Sequence, residues 1–282
     1  MKLLSKLKDL FKRKGIAKER NFLSDSESEK AVLRLLEKEN FRFLYLDNLT
    51  LEILQSKKRE TSKLIETYLS NSNSGISESS STYLLKDYLK AVDEADLISL
   101  DSKTKHTRFL KEHEGLNFVS NTVIQQFLSL IFHKFSNKRI LILCSHASLV
   151  EIQYAKKYAD KSSRGGSEFK LKCLDVDQLL CDTDKSNCYE GIDAIKMALL
   201  SYSCDVLLIQ ASPYSLPISL FATILKCPCA VIDNSFYEFF DIYKTKDSIP
   251  SSKKNAISLE DYHASTSEDF NAINHLSKTP LD

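Results

Sequence analysis

Short apolar runs alternate along this chain with longer segments of helical spacing. Two runs rich in β-branched residues, 140–143 and 206–209, each end in a loop of small residues that leads into a helix. This pattern is typical of strands in a parallel sheet that is buried on both faces. Further runs of strand length lie at 41–46, 95–100, 114–119, 169–174 and 229–232.

Helical spacing is found between these runs, at 83–94, 121–135 and 189–202. Strands that alternate with helices favour an α/β architecture, because a crossover helix returns the chain to begin the next parallel strand. The sequence therefore predicts an α/β fold with a Rossmann-like, mostly parallel sheet and helices on both faces.

The two ends of the chain differ from this central part. Residues 1–20 are basic, and their leucines fall on one face of a helix. Such a segment either lies peripherally on an anionic membrane or packs its leucines against the domain. Beyond Tyr243 the chain is polar and has no sustained apolar face, which is typical of disorder. We predict a basic amphipathic segment at 1–24, the α/β domain at 25–243 and a mostly disordered tail at 244–282.

Charge and composition argue against several classes of protein. The formal net charge is +1, whereas a nucleic-acid-binding domain is normally basic, so we expect no nucleic-acid partner. The seven cysteines lie mostly in or beside predicted strands, which indicates buried free thiols in a reducing compartment rather than a zinc site. There is no cleavable signal sequence and no apolar stretch of about 18 residues, so we expect a cytoplasmic protein, or one attached peripherally to the inner membrane face.

Polar residues follow two predicted strands at the edge where parallel sheets bind ligands. In such sheets the ligand lies outside the carboxyl ends of the strands. Asp47 follows the strand at 41–46, and Asp233 follows the strand at 229–232. Both aspartates are therefore candidate site residues.

The turn at 144–148 has the composition of a phosphate site. Amides at the start of the next helix, the hydroxyls of Ser145 and Ser148 and the ring of His146 could together hold a phosphate group. The alternative is that one of these serines serves only as the helix N-cap. In the second loop Ser212 is expected to cap a helix whose first turn contains Pro213, and it is a further candidate for ligand contact. The chain has only 6 glycines, which argues against a glycine-rich phosphate loop.

Three segments resemble the motifs of one class of enzymes. FLYLDNLTLEI stands where that class carries an acidic motif, YLKAVDEADLISL is similar to its second feature, and DVLLIQASPYSLPISLFATILKCPCAVIDNS is similar to its last. Through these segments, residues 41–241 resemble the GT-D class of bacterial glycosyltransferase-like domains. The resemblance implies transfer of a sugar from a nucleotide-sugar donor to a polysaccharide or glycoconjugate acceptor.

The same resemblance implies a divalent metal, Mn²⁺ or Mg²⁺, held with the sugar nucleotide by an Asp-x-Glu pair. Asp47 matches the aspartate, but Leu49 stands at the glutamate position, so Glu52 is the candidate for the second metal ligand. The resemblance then assigns Asp47 to the metal or the sugar, the turn at 144–148 to the diphosphate, and Asp233 to the acceptor side. Asp47 and Asp233 are the candidate catalytic residues.

Two functions remain open. The first is a glycosyltransferase that works at the inner membrane surface. The second is a non-catalytic, Rossmann-like nucleotide-binding or scaffold protein, which the leucine at position 49, the scarce glycines and the polar tail favour. A hydrolase that uses Ser145 with His146 is disfavoured, because adjacent residues point in different directions and no G-x-S-x-G motif surrounds the serine.

Overall fold

A seven-stranded sheet in which all strands run parallel forms the centre of this computed structural model. The structure describes residues 22–56, 63–65, 67, 78–101, 107–135, 137–162, 170–181, 183, 188–253 and 255–263. The strands are β1 (Arg42–Leu46), β2 (Leu97–Leu100), β3 (Phe118–Ser120), β4 (Arg139–Cys144), β5 (Lys170–Asp175), β6 (Val206–Gln210) and β7 (Cys229–Ile232). Their order across the sheet is β3-β2-β1-β7-β6-β4-β5. The predicted α/β fold is confirmed, and each predicted run overlaps one strand.

Helices cover both faces of this sheet, as predicted. In chain order they are α1 (Asp25–Glu37), α2 (Asn48–Gln55), α3 (Glu78–Asp93), α4 (Thr107–Glu112), α5 (Ile124–Lys134), α6 (Ala147–Ser162), α7 (Val176–Leu180), α8 (Cys188–Leu200), α9 (Ser215–Ile224) and α10 (Phe236–Phe239). Side chains of α2, α3, α4, α8 and α9 pack in one core on the first face, and those of α1, α5, α6 and α10 pack in a second core on the other face.

The strands are mainly apolar, except for the edge strand β5, because each one contributes to both cores. Successive side chains of a strand point to opposite faces. In β4, Leu141 and Leu143 join the first core, whereas Ile140 and Ile142 join the second. A sheet covered on both sides has few solvent-facing positions, and the exposed Lys172 lies in the edge strand β5.

The chain connections place a topological switch point between β4 and β6, and we call the region outside the carboxyl ends of these two strands the crevice. β4 continues through α6, on the second face, to β5 at one edge of the sheet. Its neighbour β6 continues through α9, on the first face, to β7 in the opposite direction. Where connections leave neighbouring strands in opposite directions, a parallel sheet leaves a crevice outside the carboxyl ends, and this is where such folds bind ligands.

The segment after β7 corrects the predicted disordered tail. β8 (Ile242–Tyr243) pairs in parallel with β9 (Ile257–Ser258), and a 3₁₀ turn spans Lys246–Ser248. Gln153 Nε2 of α6 donates hydrogen bonds to the carbonyls of Asp241 and Asn255, at 3.2 and 3.0 Å. The prediction of a disordered tail from residue 244 is therefore wrong for 244–253 and 255–263, because backbone pairing and contacts with α6 hold this polar segment. Residues 264–282 lie outside the described residues.

The predicted basic helix within residues 1–20 also lies outside the described residues. The first described residue, Phe22, forms a parallel bridge with Phe118 at the start of β3. None of the helices in the described part of the chain combines the length and the apolarity that crossing a bilayer would require.

Candidate functional site

A line of polar side chains runs along the carboxyl edge of the sheet. Each member lies at the end of a strand or directly after it. In sheet order these residues are Asp101 after β2, Asp47 after β1, Asp233 and Asn234 after β7, Gln210 at the end of β6, Ser145 after β4 and Asp175 at the end of β5.

Three carboxylates of this line act electrostatically on Tyr45, and we call Asp47, Asp101 and Asp233 the acidic cluster. The Tyr45 hydroxyl donates a hydrogen bond to Asp101 Oδ1 at 3.0 Å. Burial and the charge of Asp101 raise the pKa of Tyr45 well above its usual value, and the charges of Asp233 and Asp47 add to this effect. All three carboxylates therefore act on the same point at the end of β1, where β1 lies between β2 and β7.

Asp101 is the member of the acidic cluster with the most side-chain donors around it. It accepts a hydrogen bond from Asn121 Nδ2 at 3.0 Å, and Asn48 Nδ2 lies 3.5 Å from its other oxygen. With Tyr45 of β1, these donors come from β1, from the segment after β1 and from the segment after β3, whereas Asp101 itself follows β2. The position of Asp101 is therefore fixed by the folded sheet.

Asp233 is half-buried, and its burial has a chemical consequence. The pKa of its carboxyl is raised, chiefly because burial disfavours the charged form, and the charge of Asp101 contributes in the same direction. Hydrogen bonds from the backbone amide and the hydroxyl of Ser235 oppose this shift. A carboxylate with a raised pKa is better suited to accept a proton than an ordinary surface aspartate.

Asp47 has a structural function in addition to its place in the acidic cluster. Its Oδ1 accepts a hydrogen bond from the backbone amide of Thr50 at 2.7 Å, so Asp47 is the N-cap of α2. The helix therefore begins at Asn48, directly after Asp47. Glu52 is exposed on α2 and lies five residues after Asp47, a spacing that turns about 140° around a helix, so the two carboxylates point to different sides.

Gln210 links the acidic side of the edge to the turn after β4. Its Oε1 accepts a hydrogen bond from the backbone amide of Ser145 at 2.8 Å, and its Nε2 donates to Asn234 Oδ1 at 2.7 Å. The Tyr237 hydroxyl donates to the Ser145 carbonyl and lies 3.1 Å from Gln210 Oε1. The ends of β4, β6 and β7 are thus joined by one set of hydrogen bonds at the crevice.

His146 occupies the centre of the turn in a conformation that is rare for its residue type. Its φ angle is 58°, in the left-handed region. The ring is half-buried and lies against His263, with 4.9 Å between the ring centroids. The rings of Tyr237 and Tyr262 are also neighbours, each with its centroid 6.2 Å from that of His146. Burial and the neighbouring His263 lower the pKa of His146, although Asp175 and Asp177 oppose the shift. The imidazole is therefore mainly neutral at pH 7.

The amides that were expected to bind phosphate have partners within the protein. The backbone amide of Ala147, the first residue of α6, donates to Asp175 Oδ2 at 3.3 Å. Asp175 Oδ1 in turn accepts from the amides of Asp177 and Gln178 and so caps α7. Because a carboxylate already lies at the start of α6, a phosphate there would contact side chains of the turn or displace Asp175.

The structure places Ser148 and Ser212 differently from each other. Ser148 is exposed on the first turn of α6, beside the crevice. The prediction that Ser212 caps the next helix is wrong, since α9 begins at Ser215 after Tyr214, and the carbonyl of Ser212 accepts from the amide and the hydroxyl of Ser215. Pro213 precedes the helix, and its carbonyl accepts from the buried Tyr88 hydroxyl at 2.6 Å.

The predicted pair of metal ligands is not assembled in this fold. Asp47 and Glu52 point to different sides of α2, as described above. Among the residues that the structure describes, no three His, Cys, Asp or Glu side chains are grouped closely enough to hold a metal ion. A metal in this crevice would therefore require ligands from another molecule, such as the phosphate oxygens of a bound nucleotide.

The predicted site residues form two groups along one edge. Asp47 and Asp233 lie in the acidic cluster, and Ser145, His146 and Ser148 lie in the turn at the crevice. Three strand spacings separate β1 from β4, which is about 15 Å. The two groups can therefore contact opposite ends of one extended ligand.

Several residues of the edge escaped the sequence analysis. Asp101 is the first polar residue after an apolar strand, the same signal that identifies Asp47 and Asp233, so it could have been found. Tyr237 and His263 carry no such signal, because each reaches the turn from a segment distant in sequence.

Comparisons of this chain with protein-family models, with curated proteins and with solved structures find no match. The functional proposal therefore rests on the residues of the carboxyl edge.

Proposed function

We propose that this protein binds a nucleotide sugar along the carboxyl edge of its sheet and transfers the sugar to a hydroxyl group of a polysaccharide or glycoconjugate. The observation that supports this proposal is the continuous line of polar side chains from the turn at 144–148 to the acidic cluster. It has a length suited to an extended ligand, and it begins at the crevice where parallel sheets bind nucleotides.

The two ends of the carboxyl edge, the turn at 144–148 and the acidic cluster, bind different parts of the donor. The nucleotide and its diphosphate lie at the turn, where the hydroxyls of Ser145 and Ser148 and the neutral ring of His146 donate hydrogen bonds to phosphate oxygens. The sugar extends over Gln210 and Asn234 towards the acidic cluster, where carboxylates accept hydrogen bonds from sugar hydroxyls.

Transfer requires a base near the sugar, and Asp233 has the suitable environment. Its raised pKa favours acceptance of the proton from the acceptor hydroxyl. The acceptor oxygen then forms a bond to the anomeric carbon while the bond from that carbon to the diphosphate breaks. Holding both reactants on one rigid edge lowers the entropic cost of this step.

The charge of the edge bears on how a diphosphate binds. Asp47, Asp101, Asp233, Asp175 and Asp177 place several negative charges close to the ligand, which would repel phosphate. Mg²⁺ and Mn²⁺ commonly enter such sites with the nucleotide, held by one or two carboxylates and by phosphate oxygens. Asp101 and Asp47 are the carboxylates that would hold such an ion, which would neutralise charge on the leaving diphosphate.

A second candidate is a nucleotide-binding or scaffold protein without catalytic activity. Two observations favour it. Asp47 is used as a helix cap, and the amides of Ser145 and Ala147 already have partners within the protein. In this alternative the edge binds a nucleotide, or a partner protein, but no sugar is transferred. In both candidates residues 1–20 are the segment that we propose for peripheral membrane contact.

Calorimetric titration with uridine, guanosine and thymidine diphosphate sugars, each with and without Mn²⁺, tests the proposal. We expect binding of one donor by the wild-type protein. Asp101→Asn should weaken the metal-dependent binding at least tenfold, because one carboxylate near the ion is neutralised. The matched control is Asp93→Asn, which neutralises an exposed carboxylate at the far end of α3.

Transfer itself is tested with Asp233→Asn and the donor identified in this way. Removal of a general base typically costs about 10²–10⁴ in rate, so transfer should fall by that factor while donor binding persists. Binding without transfer to glycan acceptors by the wild-type protein would support the second candidate. Absence of binding across the panel, from protein shown to be folded by circular dichroism, would contradict the transferase proposal.

A further inference from the structure

Two cysteines approach each other at the edge of the sheet opposite the candidate site. Cys204 lies two residues before β6, and Cys227 lies two residues before the neighbouring strand β7. Their Sγ atoms are 3.4 Å apart, and both are free thiols. A disulfide has a sulfur–sulfur distance of about 2.05 Å, so a small movement of the side chains suffices to form one.

The two thiols differ in access and in acidity. Cys204 is partly exposed, whereas Cys227 is only 7% exposed. The hydrogen bond from Cys227 lowers the pKa of Cys204, and Arg139 contributes in the same direction. The same hydrogen bond, together with burial, raises the pKa of Cys227. Cys204 is therefore the nucleophile that an oxidant reaches, and Cys227 is the thiol held beside it.

We propose that Cys204 and Cys227 form a thiol–disulfide modification site that responds to low-molecular-weight disulfides such as oxidised glutathione. The Cys204 thiolate attacks one sulfur of oxidised glutathione, and one molecule of glutathione leaves. Cys227 then loses its proton and attacks Cys204 Sγ, which releases the second molecule of glutathione and leaves the protein disulfide. The protein loses two hydrogen atoms, and the oxidant takes them up as two thiols.

The raised pKa of Cys227 does not prevent the second step. The largest cause of this raised pKa is the hydrogen bond with Cys204, which a mixed disulfide at Cys204 alters, whereas the effect of burial remains. The proton of Cys227 is then lost more easily, and the attacking sulfur already lies next to the mixed disulfide.

The other cysteines provide internal comparisons. Cys144 and Cys173 also interact, and burial and the contact with Cys173 raise the pKa of Cys144. However, Cys144 and Cys173 are 0% and 4% exposed, so an oxidant has no direct access to either. Cys181 is exposed, so its thiol would compete with Cys204 for an oxidant.

The bond would join the ends of two helices on the first face. Cys204 follows α8, and Cys227 follows α9, so a disulfide would close a loop that contains β6 and α9. A cross-link of this kind restricts the unfolded chain, so the oxidised protein should melt at a higher temperature than the reduced protein. Dithiothreitol should reverse the shift.

The experiment uses the full chain carrying Cys181→Ser, so that the exposed competing thiol is absent. After incubation with oxidised glutathione at pH 8, intact mass spectrometry should show the loss of two hydrogen atoms. Peptide mapping should then place the cross-link between residues 204 and 227. Adding Cys227→Ala should give a stable adduct with one glutathione at Cys204, because the second thiol is missing. Adding Cys204→Ser should abolish both products.

Three outcomes would overturn the proposal. They are an unchanged mass in the Cys181→Ser protein, a cross-link mapped to other cysteines, and a glutathione adduct that persists without conversion although Cys227 is present. The variant Cys173→Ser, in the Cys181→Ser background, is the matched control. It disrupts the other cysteine pair and should still form the cross-link.

Discussion

His146 shows how a single residue can combine backbone strain with an unusual electrostatic environment. A φ angle of 58° is unfavourable for most residues with a side chain, and asparagine tolerates it better than most. The imidazole is also half-buried and held against His263, and both the burial and this neighbour lower the pKa of His146. Residues under strain often persist where the surroundings fix them for function, and the crevice is such a place.

His146 should make the stability of the protein depend on pH. Its pKa in the folded state lies below the ordinary value of 6.5, so the unfolded chain binds the proton more readily. The stabilisation is complete above pH 6.5 and is lost as the pH falls through the folded pKa. His146→Asn should therefore reduce the loss of unfolding free energy between pH 7 and pH 5, as measured by urea denaturation.

His146→Ala separates the two effects. It removes the same imidazole but places alanine at a positive φ, so it should lower the stability at every pH by about 1 kcal/mol more than His146→Asn does. If both variants keep the wild-type dependence on pH between 7 and 5, the electrostatic interpretation of His146 is wrong.

At the residue scale, the sequence identifies individual polar residues more readily than the residues with which they interact. Asp47 and Asp233 stand out because each follows an apolar strand, and Asp101 has the same signal. That these three carboxylates act on one tyrosine depends on β1 lying between β2 and β7. No local pattern contains this order, because the pairing joins segments that are far apart in sequence.

At the scale of elements, α2 shows why removing a candidate catalytic residue can mislead. Asp47 caps this helix through the amide of Thr50, at 2.7 Å. Loss of activity in Asp47→Ala could therefore follow from an altered helix as well as from a missing carboxylate.

Asp47→Ala should lower the unfolding free energy by about 1 kcal/mol, the usual cost of losing an N-cap. Asp47→Asn should lower it by much less, because asparagine is an equally good cap and only the charge is lost. Denaturation curves of both variants measure the difference. Equal losses of unfolding free energy in the two variants would show that the cap contributes little to stability. If Asp47→Asn keeps the cap as expected, its donor binding reports on the lost charge alone.

The helices and strands themselves follow closely from the sequence, and the capping residues follow less well. Each apolar run became a strand because burial on both faces favours a continuous apolar segment. The sequence predicts Ser212 as the cap and Pro213 in the first helical turn, but α9 begins at Ser215. Residues 212–214 instead form a turn in which the carbonyl of Pro213 accepts a hydrogen bond from Tyr88. The local sequence pattern cannot predict this hydrogen bond, because its two residues are 125 positions apart in the chain.

At the scale of the whole molecule, the segment after β7 brings the chain back to the candidate site. Asp241 forms ion pairs with Lys253 at 2.6 Å and with Lys157 of α6 at 3.8 Å. Further along, Tyr262 and His263 reach the turn that contains His146. The α/β domain therefore extends to at least residue 263, and its last described residues take part in the crevice.

Truncation after Tyr243 should destabilise the protein. It removes Ile257, Leu259 and Tyr262, which pack against the second core, so we expect a loss of roughly 2–4 kcal/mol in unfolding free energy. Truncation after His263 is the matched control, because it keeps Ile257, Leu259 and Tyr262 and their packing against the second core. If both truncated proteins melt at the same temperature, the segment 244–263 adds nothing to stability.

The sequence by itself determined the fold class and the position of the strands, because burial on two faces and helical spacing are properties of neighbouring residues. It also placed polar residues such as Asp47 and Asp233 directly after buried strands, since a carboxylate is accommodated more easily where the chain leaves the sheet than in its buried centre. Only the tertiary structure decided which of these polar residues are neighbours, that Asp175 occupies the start of α6, and that residues 244–263 return to the turn at 144–148. These features depend on the order of strands and on contacts between distant segments, whose free energy arises only when the whole chain is folded.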